Sequence, residues 1–199
     1  LMEMKDQNVT KSTSQSRRKF LMRTGVGLVV ASLPARSVWA GSGGIAQSIV
    51  ASGHGSDFAN GHAIKLESHG YFKNSQTAHN DATFMSVFGH PPFCQNGFPV
   101  DPSSPLYSAT LGQILNNPGN GPTGMGGNGN INIQLITLYL NAYFSFHGDS
   151  KIYYPIVGFD KPFTDLNAFA SYLYKEARDN GPGVYSAALS DLIDSTKLK

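Results

Sequence analysis

Ile131-Asn132-Ile133-Gln134-Leu135-Ile136-Thr137-Leu138-Tyr139-Leu140-Asn141-Ala142-Tyr143-Phe144 is the strongest helical stretch in the chain. Its apolar residues fall at nearly every angle of a 3.6-residue period, so they cover most of the circumference and not a single stripe. A helix of that kind belongs in the centre of a domain. The run predicts a buried helix over 131–146 and, with it, a mainly α fold: a small helical domain with long Gly/Pro-rich loops.

The flanks read outward from it. Downstream, Tyr153-Tyr154-Pro155 to Pro162 is a turn-rich crossing, and Thr164 is placed to cap a helix from Asp165 to Arg178. Leu166, Phe169, Ala170, Leu173 and Ala177 line one face of that helix, and Arg178 suits its C-terminal end. Asn180-Gly181-Pro182-Gly183 ends it. A last helix, Val184 to Asp194, is expected to bury Tyr185, Ala188, Leu189 and Leu192. Upstream, residues 116–130 are mostly Asn, Gly, Pro, Thr and Met and read as a flexible connector. The glycines lack the Gly-Lys-Ser/Thr ending of a phosphate-binding loop. Before them, residues 108–115 predict a short helix with Ser108 as N-cap and Asn116-Asn117-Pro118-Gly119 as its stop. Pro91, Pro92, Pro99, Pro102 and Pro105 forbid long elements in residues 75–105, and Phe84, Phe88, Phe93 and Phe98 call for a packed loop lying on the core. One or two helical turns are expected between Asn80 and Phe88. Residues 64–74 begin in apolar alternation, and residues 41–63 form a Gly/Ser/His/Asn-rich lead-in with an apolar island at Ile45–Val50. No repeat period is evident.

The first forty residues divide into the regions of an export signal. A polar lead ends at Ser16-Arg17-Arg18-Lys19-Phe20-Leu21, the pattern of a twin-arginine address read by a receptor. The apolar stretch Thr24 to Leu33 carries two glycines and is shorter than the roughly 20 residues of a spanning helix. Pro34, Arg36 and Val38-Trp39-Ala40 supply a breaker, a charge and small residues at the cleavage positions, Val38 and Ala40. The expected organisation is a signal peptide over 1–40, a flexible lead-in over 41–63 and a single helical domain over 64–199. The expected destination is the periplasm, the extracellular space or the cell surface, and the first partner is the twin-arginine export machinery.

Excluding the signal inverts the charge. The chain holds 15 Lys+Arg and 13 Asp+Glu, but residues 1–40 take seven of the basic residues and two of the acidic ones. Eight basic and eleven acidic residues remain, a net charge of −3. No basic stripe is left to meet a phosphate backbone, so nucleic acid is not an expected partner. No second apolar run after residue 40 is long enough to span a membrane. Cys94 is the only cysteine, so no intrachain disulfide can form.

Several segments, in order, resemble a family of secreted bacterial domains whose hallmark is Gly-(Tyr/Phe)-Trp-Lys-Asn-His. Here the motif stands as Gly70-Tyr71-Phe72-Lys73-Asn74, with Phe72 in the place of Trp and Ser75 in the place of His. Thr110-Leu111-Gly112-Gln113-Ile114-Leu115 is similar to the family's Thr-Leu-Gly-x-Ile-Leu helix, and Leu140-Asn141-Ala142 to the end of its long helix. Tyr153-Tyr154-Pro155 and the helix after it match the family's last turn and helix. The resemblance covers about residues 66–177. It implies an extracellular or cell-surface domain without an established catalytic role. It also implies a structural motif: the aromatic pair packing on the long helix, Lys73 and Asn74 satisfying loop backbone groups.

Chemistry is sparse. His54, His62, His69, His79 and His90 precede Cys94, and imidazole and thiolate are ligands a transition metal takes. A metal-binding periplasmic protein using residues 54–94 is therefore the alternative to an exported structural or interaction protein, although no pair of these residues has a metal-motif spacing. A small secreted hydrolase is the second alternative. No Gly-x-Ser-x-Gly elbow occurs, and nothing supplies a third group to orient Cys94 with a histidine. No catalytic residue and no resident cofactor is evident. Asp191 and Asp194 read as a solvated helix surface. Tyr107, Tyr143, Tyr153 and Tyr154 are candidates for an aromatic face that meets carbohydrate or protein.

Overall fold

The computed structural model describes residues 63–74, 81–119, 124–159 and 161–196. All of them lie in the compact unit Trp39–Lys199. The export signal, the cleavage positions, the apolar island and His54, His62 and His79 fall outside the described residues.

Six α-helices are described: α1 His69–Asn74, α2 Phe84–Phe88, α3 Leu111–Asn116, α4 Ile131–Phe146, α5 Leu166–Asn180 and α6 Pro182–Thr196. Two 3-10 turns, Pro105–Ser108 and Asn128–Asn130, join them, and strand pairing among the described residues is limited to isolated bridges. The fold is mainly α.

α4 is the spine. Its buried residues run without interruption from Leu135 to Ala142, and α1, α3, α5 and α6 all pack on it. Burial on every side explains why the sequence shows no polar stripe. Three polar side chains are nevertheless buried in it. Thr137 donates to Ile133 O at 2.8 Å and so satisfies itself within the helix. Asn132 and Asn141 turn outward to loops. They stand nine positions apart, which at 3.6 residues per turn places them on opposite faces.

α5 begins one residue later than the sequence implied. Asp165, and not Thr164, is the N-cap, its carboxylate accepting from Ala168 N at 2.8 Å. Both residue types cap well, and Asp adds a charge favourable at a helix N-terminus. The expected inner face is there, with Phe169, Ala170, Leu173 and Ala177 buried, Leu166 half-buried and Tyr174 added. α6 is longer than expected at both ends. Pro182 serves as its first residue, where its missing N–H costs nothing. The cap of α3 is Thr110, not Ser108. Thr110 accepts from Gln113 N at 3.2 Å while Gln113 Oε1 accepts from Thr110 N at 2.9 Å. Ser108 has Leu111 three residues on and cannot close such a box.

Two further expectations are corrected. Residues 124–130 are not a flexible connector, because Gly126 and Gly127 are buried and Met125 N donates to Asn117 O at 2.9 Å. Composition alone cannot separate a loose glycine run from one selected for close approach. Gly127 is the second kind. At φ 73°, a Cβ there would lie 2.7 Å from Phe93 O and 2.8 Å from Asn132 Nδ2. Gly127→Ala is expected to destabilise the domain by about 3 kcal/mol, combining left-handed strain with overpacking. Urea unfolding measures this, and a loss below about 1 kcal/mol would contradict the close docking. Phe98 is the other correction. Phe84, Phe88 and Phe93 are buried as expected, but Phe98 is 69% exposed. The Phe93–Pro99 bridge and the bond from Cys94 N to Phe98 O (2.8 Å) close a tight turn that carries the Phe98 ring outward.

Candidate functional site

The family-like motif forms α1. Phe72 is fully buried and stacks on Phe144 of α4, ring centroids 5.8 Å apart and 12° from parallel. Tyr71 is half-buried, meets Phe72 edge-on at 5.3 Å, and has the Lys151 ammonium 6.0 Å above its ring. Gly70, the second residue of the helix, is uncrowded, its nearest neighbour being Ser68 Oγ at 3.8 Å from a built Cβ. Lys73 and Asn74 are exposed, and among the described residues neither side chain bonds a loop backbone group. That work falls to α4. Asn141 Oδ1 accepts from Glu67 N at 2.7 Å, and its Nδ2 donates to Glu67 O at 2.9 Å. Asn132 does the same for Phe93, at 2.9 Å to N and 2.8 Å to O, and also donates to Met125 O at 2.9 Å. Each carboxamide stands where a neighbouring strand would stand and completes a loop's hydrogen bonding. The sequence gives no sign of this beyond polar residues inside an apolar run.

Of the candidate metal ligands, His69 is exposed at the start of α1. His90 lies against Tyr174, ring centroids 4.6 Å apart, and Phe93 covers the other side of that ring at 4.6 Å. The Tyr174 hydroxyl donates to Pro91 O at 3.0 Å, and burial pushes its pKa to about 12. Cys94 Sγ lies 2.6 Å from Asn96 Oδ1 and 2.9 Å from Phe98 O. Among the described residues no three His, Cys, Asp or Glu side chains gather as an ion would require. Asp191 and Asp194 are exposed on α6. Tyr107, Tyr143 and Tyr153 are half-buried, whereas Tyr154 is core, its ring against Phe169 at 6.1 Å.

The described surface offers an open groove of about 470 Å³, where three turns meet. Asn96, Phe98 and Pro99 come from the turn after α2, Arg178 from the end of α5, and Pro182 and Val184 from the start of α6. Phe98 and Val184 expose 69% and 59% of their surface, an unusual outlay of apolar area beside a concave site. Arg178 and Lys175 both engage Asp179, at 2.9 Å and 3.0 Å. Those hydrogen bonds, Arg178's foremost, hold the Asp179 carboxyl below its usual range. The pairs are exposed and contribute little to stability. Two further phenylalanines are exposed, Phe146 at 53% in the last position of α4 and Phe159 at 93% in the turn after Gly158. Sequence reasoning missed these exposed rings, because an outward-facing Phe is indistinguishable from a core Phe until the loop path is known.

No protein-family model, curated protein or solved structure matches this chain. Fold and site define a class only: a mainly helical domain with an apolar groove at one end. Among the described residues no helix is long and apolar enough to cross a membrane.

Proposed function

We propose that this protein is an exported structural or interaction domain that acts in the periplasm or at the cell surface. The observation that carries the reading is the groove flanked by exposed Phe98 and Val184. Apolar surface of that kind, set between rigid helix ends, is what a protein partner meets, and leaving it in water has no structural benefit. The Ser16–Leu21 export motif and the resemblance of Gly70–Asn74 to a motif of secreted domains support the same reading. Fractionation of bacteria expressing the full chain tests it. Recovery from the periplasmic, surface or extracellular fraction supports export, and protein confined to the cytoplasm would end it.

A further inference from the structure

The interior keeps its buried polar side chains bonded almost everywhere. Asn132, Thr137, Asn141 and Ser186 each donate to backbone oxygens, and the Tyr174 hydroxyl reaches Pro91 O. Among the described residues two buried side-chain atoms have no hydrogen-bond partner, the hydroxyls of Tyr154 and Tyr185. Those residues are 1% and 0% exposed. A phenylalanine would pack in either place without an unmet polar group, so a hydroxyl there calls for a polar neighbour.

The two exceptions stand together. Tyr154 lies in the crossing after α4, its N–H donating to Ser145 Oγ at 2.8 Å, and its ring meets Phe169 of α5 at 6.1 Å. Phe163 lies against both Phe169 and Tyr172, with ring centroids 5.1 Å apart in each case. Tyr185 enters from the first turn of α6. Tyr172 and Glu176, four residues apart, share a face of α5 and are half-buried. Burial foremost raises the Tyr154 and Tyr185 hydroxyls above the ordinary phenol range. Tyr172 adds to the effect on both, and Glu176 and Tyr154 add to that on Tyr185. Each hydroxyl therefore stays neutral, able to donate one bond and accept two.

That chemistry selects the occupant. An anion would meet the Glu176 carboxylate, and the cations of α5, Lys175 and Arg178, are engaged by Asp179. A cation would exchange its hydration for two neutral phenols, which is unfavourable in an apolar core. Water donates and accepts as the hydroxyls do, and it is small enough for an interior sealed by side chains. We propose that Tyr154 and Tyr185 share an internal water site, an ordered water bridging their hydroxyls between α6 and the segment that follows α4.

Urea unfolding of the purified protein, with Tyr154→Phe, Tyr185→Phe and the double variant, tests the proposal. Each single variant is expected to lower the folding equilibrium constant about fivefold, because a bonded hydroxyl is lost. The double variant should lose little more than either single one, since removing one hydroxyl already breaks the bridge. A single variant as stable as wild type, or more stable, would show a dry hydroxyl and overturn the site. Losses that multiply across the double variant would overturn it as well, because the hydroxyls then act apart. Proton NMR supplies the second readout. A long-lived internal water should show cross-relaxation with the ring protons of both Tyr154 and Tyr185 in the wild type, and the signal should vanish from both single variants. Coupled losses with no such water would mean that the hydroxyls bond each other directly, and the water site would fall.

Discussion

Asn132→Ala is expected to destabilise the domain by about 3–4 kcal/mol, the sum of desolvation costs for buried backbone groups left without partners. The Asn132 carboxamide meets three of them: Phe93 N, Phe93 O and Met125 O. Phe93 and Asn132 are both sealed from solvent, so water cannot enter to replace the lost amide without opening the loop. For a domain of this size that corresponds to a fall in melting temperature of roughly 6–16 °C. Chemical denaturation of the purified protein, with the m-value checked for constancy, gives the number directly. Thr137→Val on the same helix is the control. Its hydroxyl bonds only Ile133 O, an acceptor the helix already uses, so a change within about 1 kcal/mol is expected. If the two variants were equally mild, Asn132 would not hold the Phe93 loop.

Arg17→Lys combined with Arg18→Lys is expected to abolish export and leave the uncleaved chain in the cytoplasm. Charge is conserved in that double variant, so electrostatic attraction to a membrane surface is unchanged. What is lost is the planar, multiply donating guanidinium pair, which an ammonium does not reproduce. A receptor that reads the pair as an address should refuse it. Pulse-labelling and fractionation would compare the double variant with wild type. Continued processing at the wild-type rate would mean that the Arg17-Arg18 pair is not the address.

The order of helices was legible because it depends on local periodicity. α4, α5 and α6 are each long enough for burial to repeat over several turns; the bounds of α4 are as expected, and those of α5 and α6 moved by only one or two residues. The misplaced caps arose where adjacent residues offer equivalent chemistry, as with Thr164 and Asp165. Other features resisted reading because their cause lies far away in the chain. Asn132 acts on a residue 39 positions distant and Asn141 on one 74 positions distant. No local pattern separates such amides from polar residues on a helix surface. Gly127 looked like slack because its reason is the Phe93 carbonyl against it. The groove was illegible for a related cause, being assembled from three turns that no sequence window contains together.

The placement of Asn132 and Asn141 on opposite faces of α4 has a consequence for how this protein can change. Each loop meets the spine through its own asparagine, Phe93 through Asn132 and Glu67 through Asn141. The Phe93 loop can therefore vary beyond Gln95 without disturbing the segment around Glu67, provided the Phe93 peptide still reaches Asn132, Pro91 still meets Tyr174 and Gly127 keeps its close approach. A β-sheet offers no such freedom, since shifting one strand shifts its neighbours. In this domain the helix is a common frame, and each loop around it has its own set of contacts to conserve when it diversifies.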